Sequence, residues 1–308
     1  MARGGHVNLG RAQQAKKDEF YPQRCDIERE LVHYEHHFAG QVVLCNCDDW
    51  ARSNFARFFA DNFARLGLKR LICTSYAPAG HGSYTDFDGT KLEQRLLAGD
   101  GDFRSPECQA ILERADIVVT NPPFSLFRPY LAQLSAASKK LLVIANINAI
   151  TYKEVFSLIA QKQLWLGVNL GRGISGFIVP EHYALYGLEA KLNERGERIV
   201  ATNNCLWLTN LDHEQRHAVL PLTKHYAGHE ADYPYYDNCA AINVNKTKEI
   251  PCDYLGLMGV PITFLHKFNP AQFELIRFRK GDDGTDLKIA GKSTYFRILI
   301  RRTSFAGS

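Results

Sequence analysis

Asn121-Pro122-Pro123-Phe124 stands at the end of the apolar run 117–120 and just ahead of a helix. Proline fixes φ and has no N–H, so two in succession hold the backbone extended and offer carbonyl acceptors rather than donors. Asn121 adds a side-chain amide oxygen and Phe124 a flat apolar face. Two acceptors beside an aromatic plate suit a planar ring that carries an exocyclic amine, and adenine is such a ring. Its amino lone pair is delocalised, which makes the nitrogen a poor nucleophile. Hydrogen bonds from that amine to the Asn121 side chain and the Pro122 carbonyl would favour a tetrahedral nitrogen aimed at an electrophile, with Phe124 stacked on the base. The plain alternative is a tight strand-to-helix turn that uses Asn and Pro as turn formers.

Other motifs are weaker. Gly171-Arg172-Gly173-Ile174-Ser175-Gly176 spells the dinucleotide fingerprint, but Phe177-Ile178-Val179-Pro180 follows it as a strand where the fingerprint needs a helix. A flexible hairpin loop is expected there. No G-x-S-x-G, H-E-x-x-H or Walker A pattern occurs, and His33, His36 and His37 fall on a solvated helix face. Cys45 and Cys47, two apart on an expected strand, would share one face and pack as apolar side chains, so no metal is expected. The eight cysteines are read as reduced thiols.

These residues need a frame. Ile27, Leu31, Tyr34 and Phe38 recur at helical spacing with Asp26 as the expected N-cap, and QVVLCNC (41–47) follows as a buried strand. Phe55, Phe59, Phe63 and Leu66 mark a second helix, stopped by Gly67, before the strand KRLICTSY (69–76). Residues 79–102 are Gly-, Asp- and Ser-rich, with room for a short hairpin. Ser105-Pro106 opens a helix as N-cap and first helical residue. LLVIANI (141–147) is a further buried strand, and Thr151 to Glu154 is a capping box for a helix ending near Gln161. Strands alternating with helices predict an α/β fold, a doubly wound and mostly parallel sheet. Beyond residue 163, LWLGV, GFIVP and ERIVATNNCLWL predict an antiparallel final portion. Three regions are expected: a flexible basic arm (1–17), a main domain (18–211) and a smaller, irregular subdomain (212–308).

Of the 308 residues 45% are hydrophobic and 23% charged, the balance of a soluble globular protein. No apolar run approaches the roughly 20 residues of a membrane span and the N-terminus has no apolar signal region, so a cytoplasmic location is expected. The net charge is only +4, but 277–302 carries eight Lys/Arg against three Asp. Such clustering suits a polyanion, with phosphates contacted by Lys and Arg and binding that falls with salt.

DEFYPQ (18–23), VLCNCDDWARSNF (43–55), GDGDFRS (99–105), IVVTNPPFSLFR (117–128), NINAITYKE (146–154) and GVPITFLHKFNP (259–270) together resemble the EcoRI-type adenine-specific DNA methyltransferases, over nearly the whole chain. The resemblance implies a Rossmann-like class I methyltransferase sheet with an antiparallel final hairpin. It implies S-adenosylmethionine as methyl donor and double-stranded DNA as substrate, methylated at adenine N6 after base flipping. The setting implied is a bacterial, plasmid or phage restriction-modification system. By motif, Asn121, Pro122, Pro123 and Phe124 form the catalytic loop. Asp102 and Phe103 match the segment that holds the cofactor's adenine, and Phe20 and Tyr21 the one against its methionine part. Asn46, Asp48 and Asp49 occupy the place of a Gly-rich turn that many such enzymes have and this chain lacks; the two carboxylates could take the methionine ammonium or ribose hydroxyls, or cap the next helix. Pro22 stands where a threonine is common, without its hydroxyl. Arg277, Arg279, Lys280, Lys288, Lys292 and Arg297 then read as the DNA-contacting set. Rival readings are a protein-glutamine methyltransferase, a cytosine-N4 methyltransferase, and a DNA-binding relative without activity.

Overall fold

The computed structural model describes residues 21–169, 174–179, 190–193, 195–202, 204–279 and 283–303. Phe20, Lys280, the basic arm and residues 171–173 of the glycine motif lie outside them. The chain divides into two compact units. The first comprises the residues up to Ala149 and Leu166–Asp212; the second comprises Ile150–Trp165 and the residues from His213 on. Ile150–Trp165 therefore groups with the second unit rather than with the sequence around it.

In the first unit, β1 (Tyr21–Pro22) leads into α1 (Arg24–Leu31), and a 3-10 turn over Val32–His37 precedes β2 (Val42–Asn46). Next come α2 (Asn54–Asp61), β3 (Arg70–Thr74), β4 (Ser83–Phe87), β5 (Leu92–Leu96), α3 (Pro106–Glu113), β6 (Ile117–Thr120), α4 (Phe127–Ala136) and β7 (Lys140–Asn146). After α5 (Lys153–Ala160), which belongs to the second unit, follow β8 (Trp165–Leu166), β9 (Gly176–Ile178), β10 (Ala190–Leu192), β11 (Arg198–Ala201) and β12 (Cys205–Thr209).

Eight strands form one mixed sheet in the order β5-β4-β3-β2-β6-β7-β12-β8. Its centre, β3-β2-β6-β7, is parallel, and β4 and β12 flank it antiparallel. All five residues of β2 and all four of β6 are buried, which is why both read as unbroken apolar runs. The chain passes from β2 outward to β3 and later returns to the other side of β2 as β6. The carboxyl ends of β2 and β6 therefore flank a reversal of strand order, the place where open α/β sheets leave a crevice.

α2 starts where Ser53 accepts the N–H groups of Phe55 (3.0 Å) and Ala56 (3.3 Å). It buries Phe55 edge-on against Trp207 (5.9 Å) and Phe59 against Phe38 (5.1 Å). Rings buried this fully contribute roughly 1.5–3 kcal/mol each. α3 starts as its sequence predicts, with Ser105 accepting the Cys108 N–H behind Pro106 at the first position.

Other local expectations change. Asp26 does not cap a helix: α1 begins at Arg24, and Asp26 and Glu30 lie buried one turn apart on it. Asp26 Oδ2 accepts both the backbone N–H and the hydroxyl of Ser175 (2.8 Å each), and Glu30 accepts Val168 N, Asn169 N and the Tyr34 hydroxyl (2.8 Å each). Burial raises both carboxyl groups above their usual range. Gly167 is required here because a Cβ would stand 2.3 Å from Glu30 Oε1 and 2.5 Å from Trp207 Cβ. α5 begins one residue later than a Thr151 capping box would start it, with Tyr152 at the cap and no side-chain cap bond.

A second sheet, β1-β9-β11-β10, joins Tyr21–Pro22 to the strand that begins at Gly176, the last residue of the glycine motif. Tyr21 pairs with Ile178 and Pro22 with Phe177. Ser175 thus leads into a strand that begins at Gly176, as expected, and β8 and β9 belong to different sheets; the hairpin loop expected for the motif falls on residues that lie mostly outside the described ones.

The second unit adds β13 (Tyr235–Tyr236), β14 (Cys239–Asn243), β15 (Leu257–Pro261), β16 (Phe273–Phe278), β17 (Lys288–Ile289), β18 (Lys292–Ser293) and β19 (Arg297–Arg302). Five of these form the sheet β13-β14-β15-β19-β16, and β17-β18 is a separate ribbon. Ala290 and Gly291 both have positive φ (49° and 74°), the turn that matches the twist of a two-stranded ribbon, and Asp237 accepts both of their N–H groups.

Candidate functional site

At the carboxyl end of β2 the strand stops at Asn46, and Cys47 turns the chain with a left-handed φ of 67°. Cys47 therefore does not continue the strand face of Cys45, which lies in the core. Its half-buried thiol lies near Asp48, Cys108 and Asp102, and desolvation raises it well above the usual thiol range. All eight cysteines are free.

Asp48 follows, 2% exposed. Its carboxylate accepts the Ser53 hydroxyl at 2.6 Å and the Thr120 hydroxyl at 2.5 Å, together with the Asn121 N–H. Burial pushes its pKa up to about 7, against the lowering effect of these donors. The carboxylate thus links the end of β2, the start of α2 and the first residue of the Asn-Pro-Pro-Phe loop. It neither caps a helix nor faces solvent; Ser53 is the cap. Thr120 also reaches the Asn46 carbonyl, and the buried Tyr130 of α4 donates its hydroxyl to Asn46 Oδ1. Asp49 is half-buried and accepts Ala51 N at 3.0 Å.

In the loop Pro122 is buried, and Pro123 is extended, as expected (φ −60°, ψ 122°), ahead of a 3-10 turn over Phe124–Leu126, whose Leu126 N–H it accepts. The Asn121 side-chain oxygen is buried. Phe124 packs on the core with its ring 6.1 Å from Phe177 of β9, the residue paired with Pro22. The structure thereby brings Tyr21–Pro22, Phe177 and Phe124 into one neighbourhood.

The Gly99–Arg104 segment lies against the end of β3. Ala77 N donates to the Asp100 carbonyl (2.8 Å) and Gly82 N to that of Gly99 (2.9 Å). Phe103 is buried edge-on against Tyr130, with ring centroids 5.0 Å apart. Asp102 takes Arg104 bidentately, through Nε at 2.9 Å and Nη2 at 2.5 Å, and this pairing holds its carboxyl below the usual range. Asn46, Asp48, Asp49, Asp102, Phe103 and the loop from Asn121 are thus collected along the carboxyl ends of β3, β2 and β6.

Ser53, Thr120, Tyr130 and Phe177 escaped the sequence reading, although Ser53 before α2 was a readable N-cap. In the second unit Arg277 and Lys292 are exposed. Arg279 is paired with Asp286 (2.8 Å) and lies 4.6 Å from the centre of the Phe296 ring, while Arg297 donates to Asn243 Oδ1 (3.2 Å) and the Tyr295 carbonyl (3.0 Å). Lys288 is half-buried on the β17-β18 ribbon.

The family model described as "Adenine-specific methyltransferase EcoRI" matches residues 8–94 and 81–303. The chain is 58% identical over 311 residues to the Type II methyltransferase M.EcoRI of Escherichia coli, covering 95% of each. The chain belongs to the EcoRI-type adenine-specific DNA methyltransferase family. Two further Type II methyltransferases are similar to it along nearly their whole length. M.MpnI of Mycoplasma pneumoniae is 38% identical (96% of this chain, 98% of the relative), and M.MgeORF184P of Mycoplasma genitalium is 36% identical over the same shares. No solved structure gives a significant match.

An EcoRI-type methyltransferase draws on S-adenosylmethionine as the general methyl donor of its class, and the residues at the strand ends suit that molecule. An ammonium, a sulfonium and ribose hydroxyls ask for acceptors; Asp49, Asp100 and Asp102 provide carboxylates there, none of them fully buried. Among the described residues no helix is long and apolar enough to cross a membrane.

Proposed function

We propose that the first unit is a Rossmann-like class I methyltransferase domain. It methylates the N6 amine of an adenine turned out of double-stranded DNA, and Asn121 to Phe124 form its catalytic loop. The observation that carries this reading is the buried Asp48 carboxylate, which ties the loop's first N–H to the end of β2 across the reversal of strand order. It fixes the acceptor edge beside the place where the carboxylates of Asp49, Asp100 and Asp102 gather.

Tyr21, Asp49, Asp102 and Phe103 would hold the cofactor, with Asn46 and Asp48 supporting them from beneath. Bound there, S-adenosylmethionine supplies an electrophilic methyl group on a sulfur that leaves as a neutral thioether. The chain's own part is to hold the amine. Asn121 Oδ1 and the Pro122 carbonyl accept its two N–H bonds and turn its lone pair outward. Phe124 stacks on the base and offsets part of the few kcal/mol that unpairing and unstacking cost. The nitrogen forms its new bond to carbon and then releases one proton to water, so no side chain has to serve as base. The second unit, through Arg277, Lys288 and Lys292 above all, would hold the phosphates and position the site to be read.

Duplex DNA incubated with tritiated cofactor tests this. The label is expected in N6-methyladenine of the DNA. Label confined to cytosine or to protein would overturn it.

A further inference from the structure

Three side chains in the second unit meet in a place that methyl transfer does not use. Lys224 and Pro251 form an isolated parallel bridge, and Cys252 N donates to the Lys224 carbonyl at 2.8 Å. The Asp253 carboxylate accepts Tyr226 N (2.6 Å) and Ala227 N (3.1 Å), and Arg302 donates to the Cys252 carbonyl. Two loops 27 residues apart in sequence are therefore pinned to each other by their backbones. On that frame His225 Nδ1 lies 3.5 Å from Cys252 Sγ and 3.6 Å from Asp253 Oδ2. One ligand atom from each of the three residues lies within 4.8 Å of the others.

A sulfur about 2.3 Å and a nitrogen about 2.0 Å from a tetrahedral zinc ion stand about 3.5 Å apart. The observed 3.5 Å between His225 Nδ1 and Cys252 Sγ is that of neighbouring ligands on one ion. The 3.6 Å gap from His225 to Asp253 is too long for a hydrogen bond between them, and the imidazole, 63% exposed, is able to turn and aim a nitrogen at an ion. Thiolate and imidazole select borderline metals such as zinc over magnesium or calcium. We propose that His225, Cys252 and Asp253 bind one zinc ion, with water in the fourth position, as a clamp between the 224–227 and 251–253 loops. The site is independent of the methyl-transfer reading.

The test uses the full chain, untagged and stripped with a chelator. Cobalt(II) is expected to give a thiolate-to-cobalt charge-transfer absorption at one equivalent, which zinc displaces, and zinc is expected to raise the melting temperature. Cys252→Ser should remove the absorption and the zinc-dependent rise while methyl transfer persists as the sign of a folded protein. His225→Ala, at an exposed side chain, should weaken cobalt binding by about tenfold or more, in the range of lost ligand-sphere interactions. No charge-transfer band in the unaltered chain, or a band unchanged in both variants and so arising from another cysteine, would overturn the proposal.

Discussion

At the ends of β2 and β6 polar side chains hold one another below the surface. Asp48 receives Ser53, Thr120 and the Asn121 N–H, and Tyr130 locks Asn46. The second unit treats its charges differently: Arg277 and Lys292 stand in solvent, and the Arg279–Asp286 pair is itself about 40% and 36% exposed. A buried network fixes an edge at one geometry, whereas exposed cations on long side chains adapt to a partner whose phosphates supply the complementary charge. Under the proposed function, chemistry calls for the first and duplex binding for no more than the second.

Breaking the fixed edge should have the largest effect. Asn121→Ala is expected to lower the methyl-transfer rate by on the order of 100-fold or more, the scale seen when one aligned polar group of a catalytic site is removed. DNA affinity by gel shift should stay within a few-fold. Equal loss of rate and affinity would instead make Asn121 a structural residue.

Asp48→Asn sharpens the contrast through pH. The Asp48 pKa, about 7 in the folded chain, lies above its ordinary 3.8, so between those values the folded state holds a proton that the unfolded state has released. Stability from this group is full below about pH 4 and is lost as pH rises through about 7. The variant lacks that loss, so its stability relative to the parent should improve on going from about pH 5 to about pH 7, by on the order of 1–3 kcal/mol. Urea denaturation at the two pH values measures it. A constant difference would mean that Asp48 does not titrate there.

The smallest effect belongs to the exposed cations. Arg277→Ala and Lys292→Ala should each weaken DNA binding a few-fold and reduce the slope of log affinity against log salt by about one, leaving the rate at saturating DNA unchanged. If the rate falls and the slope does not, these side chains act elsewhere than on phosphate.

The parallel centre of the sheet was legible because β2 and β6 are short apolar runs bounded by turn residues, and the Asn-Pro-Pro-Phe loop because proline restricts its own backbone. The sheet of β1, β9, β11 and β10 was not. A two-residue strand such as Tyr21–Pro22 carries no period and exists only through its partner more than 150 positions away. The short hairpin allowed for in 79–102 is present as β4–β5, but the bounds of β5 were not legible: LEQRL pairs along β4, yet all five side chains are exposed, so no apolar alternation marks it. Asp26 looked like a cap because Asp usually is one; that it is buried instead depends on Ser175. Asp48 was legible as a member of the site but not as its internal tie, since nothing local pairs it with Thr120, 72 positions on.

Cys47 gives the missing glycine turn a different meaning. Its φ of 67° is the conformation that glycine adopts without penalty, and it lets Asp48 N donate to the Thr74 carbonyl at 2.8 Å. Cys47 holds this turn at a conformational cost of roughly 1–2 kcal/mol for an L side chain. A strand end can therefore make a left-handed turn without glycine, and a search for a glycine motif alone would pass over this one.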